Sequence, residues 1–99
     1  MLVIEYAESV WRDLAQLRAY DRKVILDATE KHLAHEPLAE TRRRKLVFGL
    51  TPPWEHVPPI WELRVGEYRV FYDVDEALRI VKVRAIRHKP AHRSTKEIV

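Results

Sequence analysis

WELRVGEYRVFYDV, residues Trp61 to Val74, decides the fold. Most of it alternates apolar and polar, the two-residue period of a half-buried strand. Gly66-Glu67 interrupts the alternation and suits a two-residue hairpin turn of type II′, with glycine first. Folding the halves together pairs Val65 with Tyr68, Arg64 with Arg69, Leu63 with Val70 and Trp61 with Tyr72. Two arginines then face each other across the strands, where like charges repel.

A further strand is predicted over about Arg79–Arg87, joined by a four-residue loop at Asp75–Leu78. That register sets Tyr72 opposite Val81, Val70 opposite Val83 and Tyr68 opposite Ala85. It gathers Trp61, Leu63, Val65, Tyr68, Val70, Tyr72, Val81, Val83 and Ala85 on one face, the expected core; a slip of one residue would scatter them. The other face holds Glu62, Arg64, Arg69, Phe71, Asp73, Lys82 and Arg84. Arg64, Arg69 and Arg84 are expected in a row across three strands, with Lys82 facing Phe71. An anion lying on the row would turn its repulsion into attraction, because guanidinium forks match phosphate oxygens. The plainer reading has the arginines splay outward, with Glu62 and Asp73 neutralising them.

Upstream, Leu2–Tyr6 reads as a strand. Val10, Trp11, Leu14, Ala15 and Leu17 mark one face of a helix over about Ser9–Leu17, with Trp11 in the core. Asp21 is the expected N-cap of a second helix, which buries Val24, Ile25, Ala28 and Leu33 and stops before Pro37. TRRRKL, Thr41 to Leu46, reads as a loop. The four prolines of GLTPPWEHVPPI, Gly49 to Ile60, make that segment stiff, extended and not helical. Trp54 covers the core edge there or stacks a base. The tail AHRSTKEIV is expected to be loose unless a partner orders it. The order is β-α-α-β-β-β: an α+β fold in one domain over 1–99, its helical hairpin on one face of a small antiparallel sheet and the other face open.

Composition narrows the function. The 99 residues are 46% hydrophobic and include no cysteine, which removes disulfides, thiol chemistry and cysteine-ligated zinc. Residues 1–40 hold five Lys/Arg against eight Asp/Glu, and residues 41–99 hold thirteen against seven. The basic surplus sits in the second half, as a polyanion-binding face requires, although an ordinary basic surface would also show it. The N-terminus lacks the basic region of a signal peptide and no apolar run reaches membrane-span length. A cytoplasmic protein with no membrane contact is expected. His32 and His35 with His56 lack a converging carboxylate, so neither metal nor cofactor is expected.

The run Leu63-Arg64-Val65-Gly66, Tyr68-Arg69-Val70, Tyr72 and Val74, followed by a valine-rich strand, resembles the RelE/ParE superfamily of bacterial toxins. Weaker agreement runs through most of the chain. The resemblance implies one of two activities, ribosome-dependent mRNA cleavage or poisoning of DNA gyrase without a nuclease site. It also implies a cognate antitoxin, encoded beside the toxin and holding it inactive in a hetero-oligomer, and, for the nuclease, the ribosome and mRNA as partners. In the nuclease branch the arginine of the Tyr-Arg pair stabilises the transition state, which here is Arg69. This sequence departs where that branch often carries lysines, holding Ile60 and Glu62, and no tyrosine follows Tyr72. Arg87, His88 and Lys89 stand at the end of the last strand, where some members place a catalytic histidine.

RNA cleavage needs a base for the 2′-hydroxyl proton, a cation beside the phosphorane and an acid for the leaving oxygen. Arg69 and Arg84 are the candidate cations. His88 is the candidate acid, since histidine ordinarily titrates near working pH, and His92 in the tail is a second. Glu62 is the candidate base, with a salt bridge to an arginine as its alternative role. Arg64, Lys82, Arg87 and Lys89 are candidate RNA contacts, and the run Arg42, Arg43, Arg44, Lys45 forms a phosphate track if RNA binds. Arg69 on an open face is expected to be removable without loss of the fold.

Overall fold

The computed structural model describes residues 2–99. Strand β1 (Val3–Tyr6) leads into helix α1 (Glu8–Ala15) and helix α2 (Ala19–Leu33). Four strands follow, β2 (Arg44–Val47), β3 (Ile60–Val65), β4 (Tyr68–Asp75) and β5 (Ile80–His88), and then a short helix α3 (Thr95–Ile98). They form one five-stranded sheet in the order β1-β5-β4-β3-β2. β1 runs parallel to β5, and the other pairs are antiparallel.

The β3–β4 hairpin has the expected register at every pair from Trp61↔Tyr72 to Val65↔Tyr68. Gly66 takes φ 58° at the first turn position, a left-handed conformation that glycine adopts without strain. Between β4 and β5 the expected register fails. The turn closes at Asp75↔Ile80, so Tyr72 already meets Val83, two positions off, and a bulge then sets Phe71 opposite Ala85 and leaves Arg84 unmatched. Beyond it Val70 meets Ile86, Arg69 meets Arg87 and Tyr68 meets His88. Ile86 therefore joins the main core, and Ala85 turns to the opposite face. Lys82 faces Asp73, not Phe71.

The helical hairpin covers one sheet face as expected. Val10 and Leu14 of α1 and Ile25 and Leu33 of α2 pack on Leu63, Val70, Tyr72, Val81 and Val83, all at most 2% exposed. Helix α2 begins at Ala19 with Arg18 as N-cap, so Asp21 lies in its first turn and caps nothing. Its buried stripe includes Thr29, whose hydroxyl donates to the Ile25 carbonyl at 2.8 Å, whereas Val24 is exposed. Trp11 is 51% exposed, against the core position expected; it leans on Tyr6 with ring centroids 5.1 Å apart.

Three further departures shape the site. Part of the expected loop at 41–46 is strand β2, paired with β3 from Arg44↔Leu63 to Val47↔Ile60. Its charges hid it: only Leu46 and Val47 advertise a strand, and Leu46 reaches the main core. The tail is ordered, because Ser94 and Glu97 form a capping box that starts α3. And the second sheet face is partly covered, with Trp54 of the proline-rich segment and Ile98 and Val99 of the tail packing on Ile60, Phe71 and Ala85.

Arg44 fastens β2 to the end of α2, donating to the His32 carbonyl at 2.6 Å and the Ala39 carbonyl at 3.1 Å. Burial, and then Arg43, Lys31 and Arg44, push the His32 imidazole below its ordinary value. The folded state thus binds its proton less readily than the unfolded chain. Stability is expected to fall as pH drops through the usual histidine range, about 6.5, and His32→Gln should flatten that acid slope. Denaturant titrations at stepped pH check this; an unchanged slope in the variant would assign it to another group.

Candidate nucleic-acid interface

Alternation along the strands selects the residues of the site. Lys45 on β2 stands opposite Glu62 on β3, and Arg64 on β3 stands opposite Arg69 on β4. Lys89, just past β5, donates its backbone N–H to the Glu67 carbonyl at 2.6 Å, which holds the end of the strand against the hairpin turn. Together with Arg42 and Arg43 these residues line a pocket of about 190 Å³. Arg42, Arg43, Lys45, Arg64 and Lys89 form no ion pair among the described residues.

At the pocket floor lies an ion pair. Arg69 Nε is 3.0 Å from Glu62 Oε1, and the two side chains are 9% and 2% exposed. Arg69 Nη1 donates to the carbonyls of Gly66 at 3.0 Å and Tyr68 at 2.8 Å. Thr95 at the start of α3 donates its hydroxyl to Glu62 Oε2 at 2.9 Å. Burial pushes the Arg69 guanidinium below its ordinary value, Glu62 pulls it back, and Arg64 adds to the lowering. It remains a cation, since arginine does not release its proton. Glu62 thus makes the salt bridge that was the alternative to its role as base, in a position where it also borders the pocket.

The expected arginine row is corrected by the later turn and the bulge between β4 and β5. Arg87, not Arg84, stands beside Arg69. Arg87 is itself engaged, 3.1 Å from Asp13 of α1 and over the Trp54 ring at 5.1 Å. Asp13 also accepts the Ile86 N–H at 3.2 Å, covering the edge of β5 beyond the reach of β1. Arg84 is held by both oxygens of Asp73, at 2.8 and 3.2 Å, in a pair whose side chains are 11% and 4% exposed. Asp73 accepts the Val57 N–H at 3.0 Å as well, so this pair anchors the proline-rich segment. Lys82 lies by the same pair, and Arg44 is the clamp to α2; neither borders the pocket.

His88 is on the wrong face for a partnership with Arg69. It sits opposite Tyr68, ring centroids 5.4 Å apart, with Nε2 3.3 Å from Glu67 Oε1. Tyr68 packs against the main core, beneath the helices, while Arg69 points the other way. The acid–base groups that border the pocket are Glu62, Lys45 and Lys89. Sequence reasoning missed Thr95 and Asp13, whose contacts join residues 33 and 73–74 positions apart. Among the described residues, no group of three or more His, Asp or Glu side chains could hold a metal ion.

A family model described as the ParE toxin of the parDE type II toxin–antitoxin system matches residues 4–90. The chain belongs to the ParE toxin family. Its fold is shared with solved toxins of the RelE branch. The toxin–antitoxin complex RelBE2 of Mycobacterium tuberculosis matches with a TM-score of 0.69 and 20% identity, over 89% of this chain and 98% of that one. The archaeal RelE–RelB complex of Pyrococcus horikoshii OT3 matches with 0.68 and 21%, over 94% and 98%. The isolated RelE toxin of E. coli matches with 0.67 and 16%, over 96% and 89%. No curated protein sequence matches the chain. The expected α+β class and superfamily are thereby established, and this ParE-family toxin adds to the expected elements the strand β2 and the helix α3. No helix among its described residues is long and apolar enough to cross a membrane.

Proposed function

We propose that this toxin stops translation by cutting mRNA on the ribosome, in the cytoplasm, and that a cognate antitoxin holds it inactive. The observation that carries the reading is the convergence, on the buried Arg69–Glu62 pair, of five cations without ion-pair partners among the described residues. A phosphodiester seated there supplies the missing negative charge. Glu62 takes the 2′-hydroxyl proton, the 2′-oxygen attacks phosphorus, and Arg69 with Arg64 faces the charge of the phosphorane. As the bond to the 5′-oxygen breaks, Lys89 or Lys45 supplies its proton, leaving a cyclic phosphate. In this reading these lysines donate the proton in place of His88, while Arg84 and Arg44 have structural duties. The antitoxin complexes of the RelE neighbours support a protein partner of the same kind here.

A second reading is favoured by the way Arg69 is already held by Glu62 and two carbonyls. In it the basic pocket binds without cutting, and the target is DNA gyrase. Induction without antitoxin, followed by mapping of mRNA ends and a gyrase supercoiling assay, separates the two. New ends within coding sequence that disappear in a folded double variant, Arg69→Met with Glu62→Met, are the expected result. Growth arrest with intact mRNA and blocked supercoiling would replace the nuclease reading with the second one.

A further inference from the structure

The carboxylate of the basic pocket is closed off. Glu62 lines the pocket, yet its side chain is 2% exposed. Arg69 Nε lies 3.0 Å from Oε1, and the Thr95 hydroxyl donates to Oε2 at 2.9 Å, an ordinary length for such a bond. A carboxylate that takes a proton from a hydroxyl must first accept a hydrogen bond from it. With Arg69 on Oε1, Oε2 is the oxygen open to a hydroxyl, and the tail fills it with one of its own. The hold of the tail is slight. Helix α3 has four residues, too few to persist without contacts to the rest of the chain. Its capping box and the Arg93–Glu97 pair, at 3.5 Å, are internal to the tail. Among the described residues, the Thr95–Glu62 bond is the one hydrogen bond between residues 91–99 and the sheet. Beside it, the half-buried Ile98 and Val99 pack on Ile60, Phe71 and Ala85. A segment anchored by one hydrogen bond and two apolar side chains opens at small cost.

We propose that the tail is a built-in competitor of the substrate: the Thr95 hydroxyl holds the seat of the reacting 2′-hydroxyl, and α3 must lift off the sheet before Glu62 can take a proton. The inference rests on the reading of Glu62 as the base and adds a gate to that site. A ligand that carries a hydroxyl beside its phosphate displaces Thr95 from Oε2. A ligand with the phosphate alone binds the cations and leaves the tail in place. A hydrogen bond to a carboxylate is strong enough that its loss or gain changes affinity about tenfold.

Two probes that differ in that hydroxyl alone make the test, adenosine 3′-monophosphate and 2′-deoxyadenosine 3′-monophosphate. Neither can be cleaved, because the phosphate carries no leaving nucleoside. Each is titrated at low salt into the full chain and followed by NMR, with Lys45 and Arg64 reporting the pocket and the Ile98 methyl groups reporting the tail. Both probes should shift the pocket resonances of the wild type with affinities within about threefold of each other, since the hydroxyl's new bond replaces the one Thr95 loses. Only the ribonucleotide should move Ile98 towards its position in an unfolded chain. In Thr95→Val, which has the same shape and no hydroxyl, the ribonucleotide should bind about tenfold more tightly than the deoxynucleotide. Thr95→Ser, which keeps the hydroxyl, should return the two affinities to within about threefold. Single-turnover cleavage on programmed ribosomes at subsaturating concentration should rise about tenfold in Thr95→Val. Release of the tail by both bound probes, or by neither, overturns the gate and leaves the pocket standing. Slower cleavage in Thr95→Val that Thr95→Ser restores also overturns it, and makes Thr95 a residue that orients Glu62. Failure of both probes to shift Lys45 and Arg64 overturns the reading of the pocket and the gate with it.

Discussion

Arg69→Ala is expected to lose activity and, with it, much of the protein's stability. An open sheet face would have made the residue dispensable to folding, but the structure buries it against Glu62, with only 9% and 2% of the two side chains exposed. Removing one partner of a buried pair leaves an uncompensated charge and costs about 3–5 kcal/mol. For a domain of this size each kcal/mol lowers the melting midpoint by about 4–8 °C. Loss of toxicity in the single variant therefore says little about chemistry. The informative comparison is Arg69→Met combined with Glu62→Met. Replacing both charges by apolar groups of similar volume should recover most of the stability. Cleavage should stay depressed by at least about 10²–10³, the scale of one lost preorganised donor. Arg69→Lys should restore part of the rate, since an ammonium keeps the charge without the fork. Thermal melts beside single-turnover cleavage on programmed ribosomes check the set. A double variant that cuts like wild type would remove Arg69 from the mechanism. A single variant that melts like wild type would mean that the pair does not form in solution.

Asp73→Ala should destabilise by a similar amount for a different reason. Asp73 is 3% exposed and serves three donors, Arg84 Nε, Arg84 Nη2 and the Val57 N–H. Its removal strands the Arg84 guanidinium and unfastens the proline-rich segment. The expected loss is about 3–5 kcal/mol, with Asp73→Asn intermediate because an amide oxygen still accepts from Val57. Hydrogen exchange gives the local signature: the Val57 amide should be protected in wild type and exchange quickly in Asp73→Ala. If that amide is fast in both proteins, the anchor is not formed. Activity should change little in a variant that remains folded, since Asp73 and Arg84 do not border the basic pocket.

What the sequence made legible follows from the range of the interactions involved. The β3–β4 hairpin is local, and its glycine turn sets the register that the alternation predicts. The pairing of Arg64 with Arg69 was readable for that reason. The β4–β5 register was not, because the bulge after Phe71 comes from packing: Phe71 and Ala85 share the second apolar cluster, while Tyr72 and Val83 stay in the main one. Alternation alone cannot reveal where a strand takes in an extra residue. With the turn closing at Asp75↔Ile80, two positions off the expected register, the bulge put Arg87 in place of Arg84 beside Arg69 and set His88 against Tyr68. Strand β2 was hidden because the run Arg42–Lys45 looks like solvated loop, although within the strand Arg44 clamps α2 and Lys45 borders the pocket. The tail was hidden because its polar residues serve a capping box and Glu62.

The parallel pairing of β1 with β5 has a consequence in time. Val3 lies opposite Ile80 and Tyr6 opposite Val83, so the first strand to be synthesised is among the last to find its partner. Closing so long a loop is slow compared with forming the β3–β4 hairpin. A chain emerges from its N-terminus at about 5–20 residues per second, and the site draws Lys89 and, through its bond to Glu62, Thr95 from beyond β5. While translation is under way the nascent toxin therefore has neither a complete sheet nor a closed site.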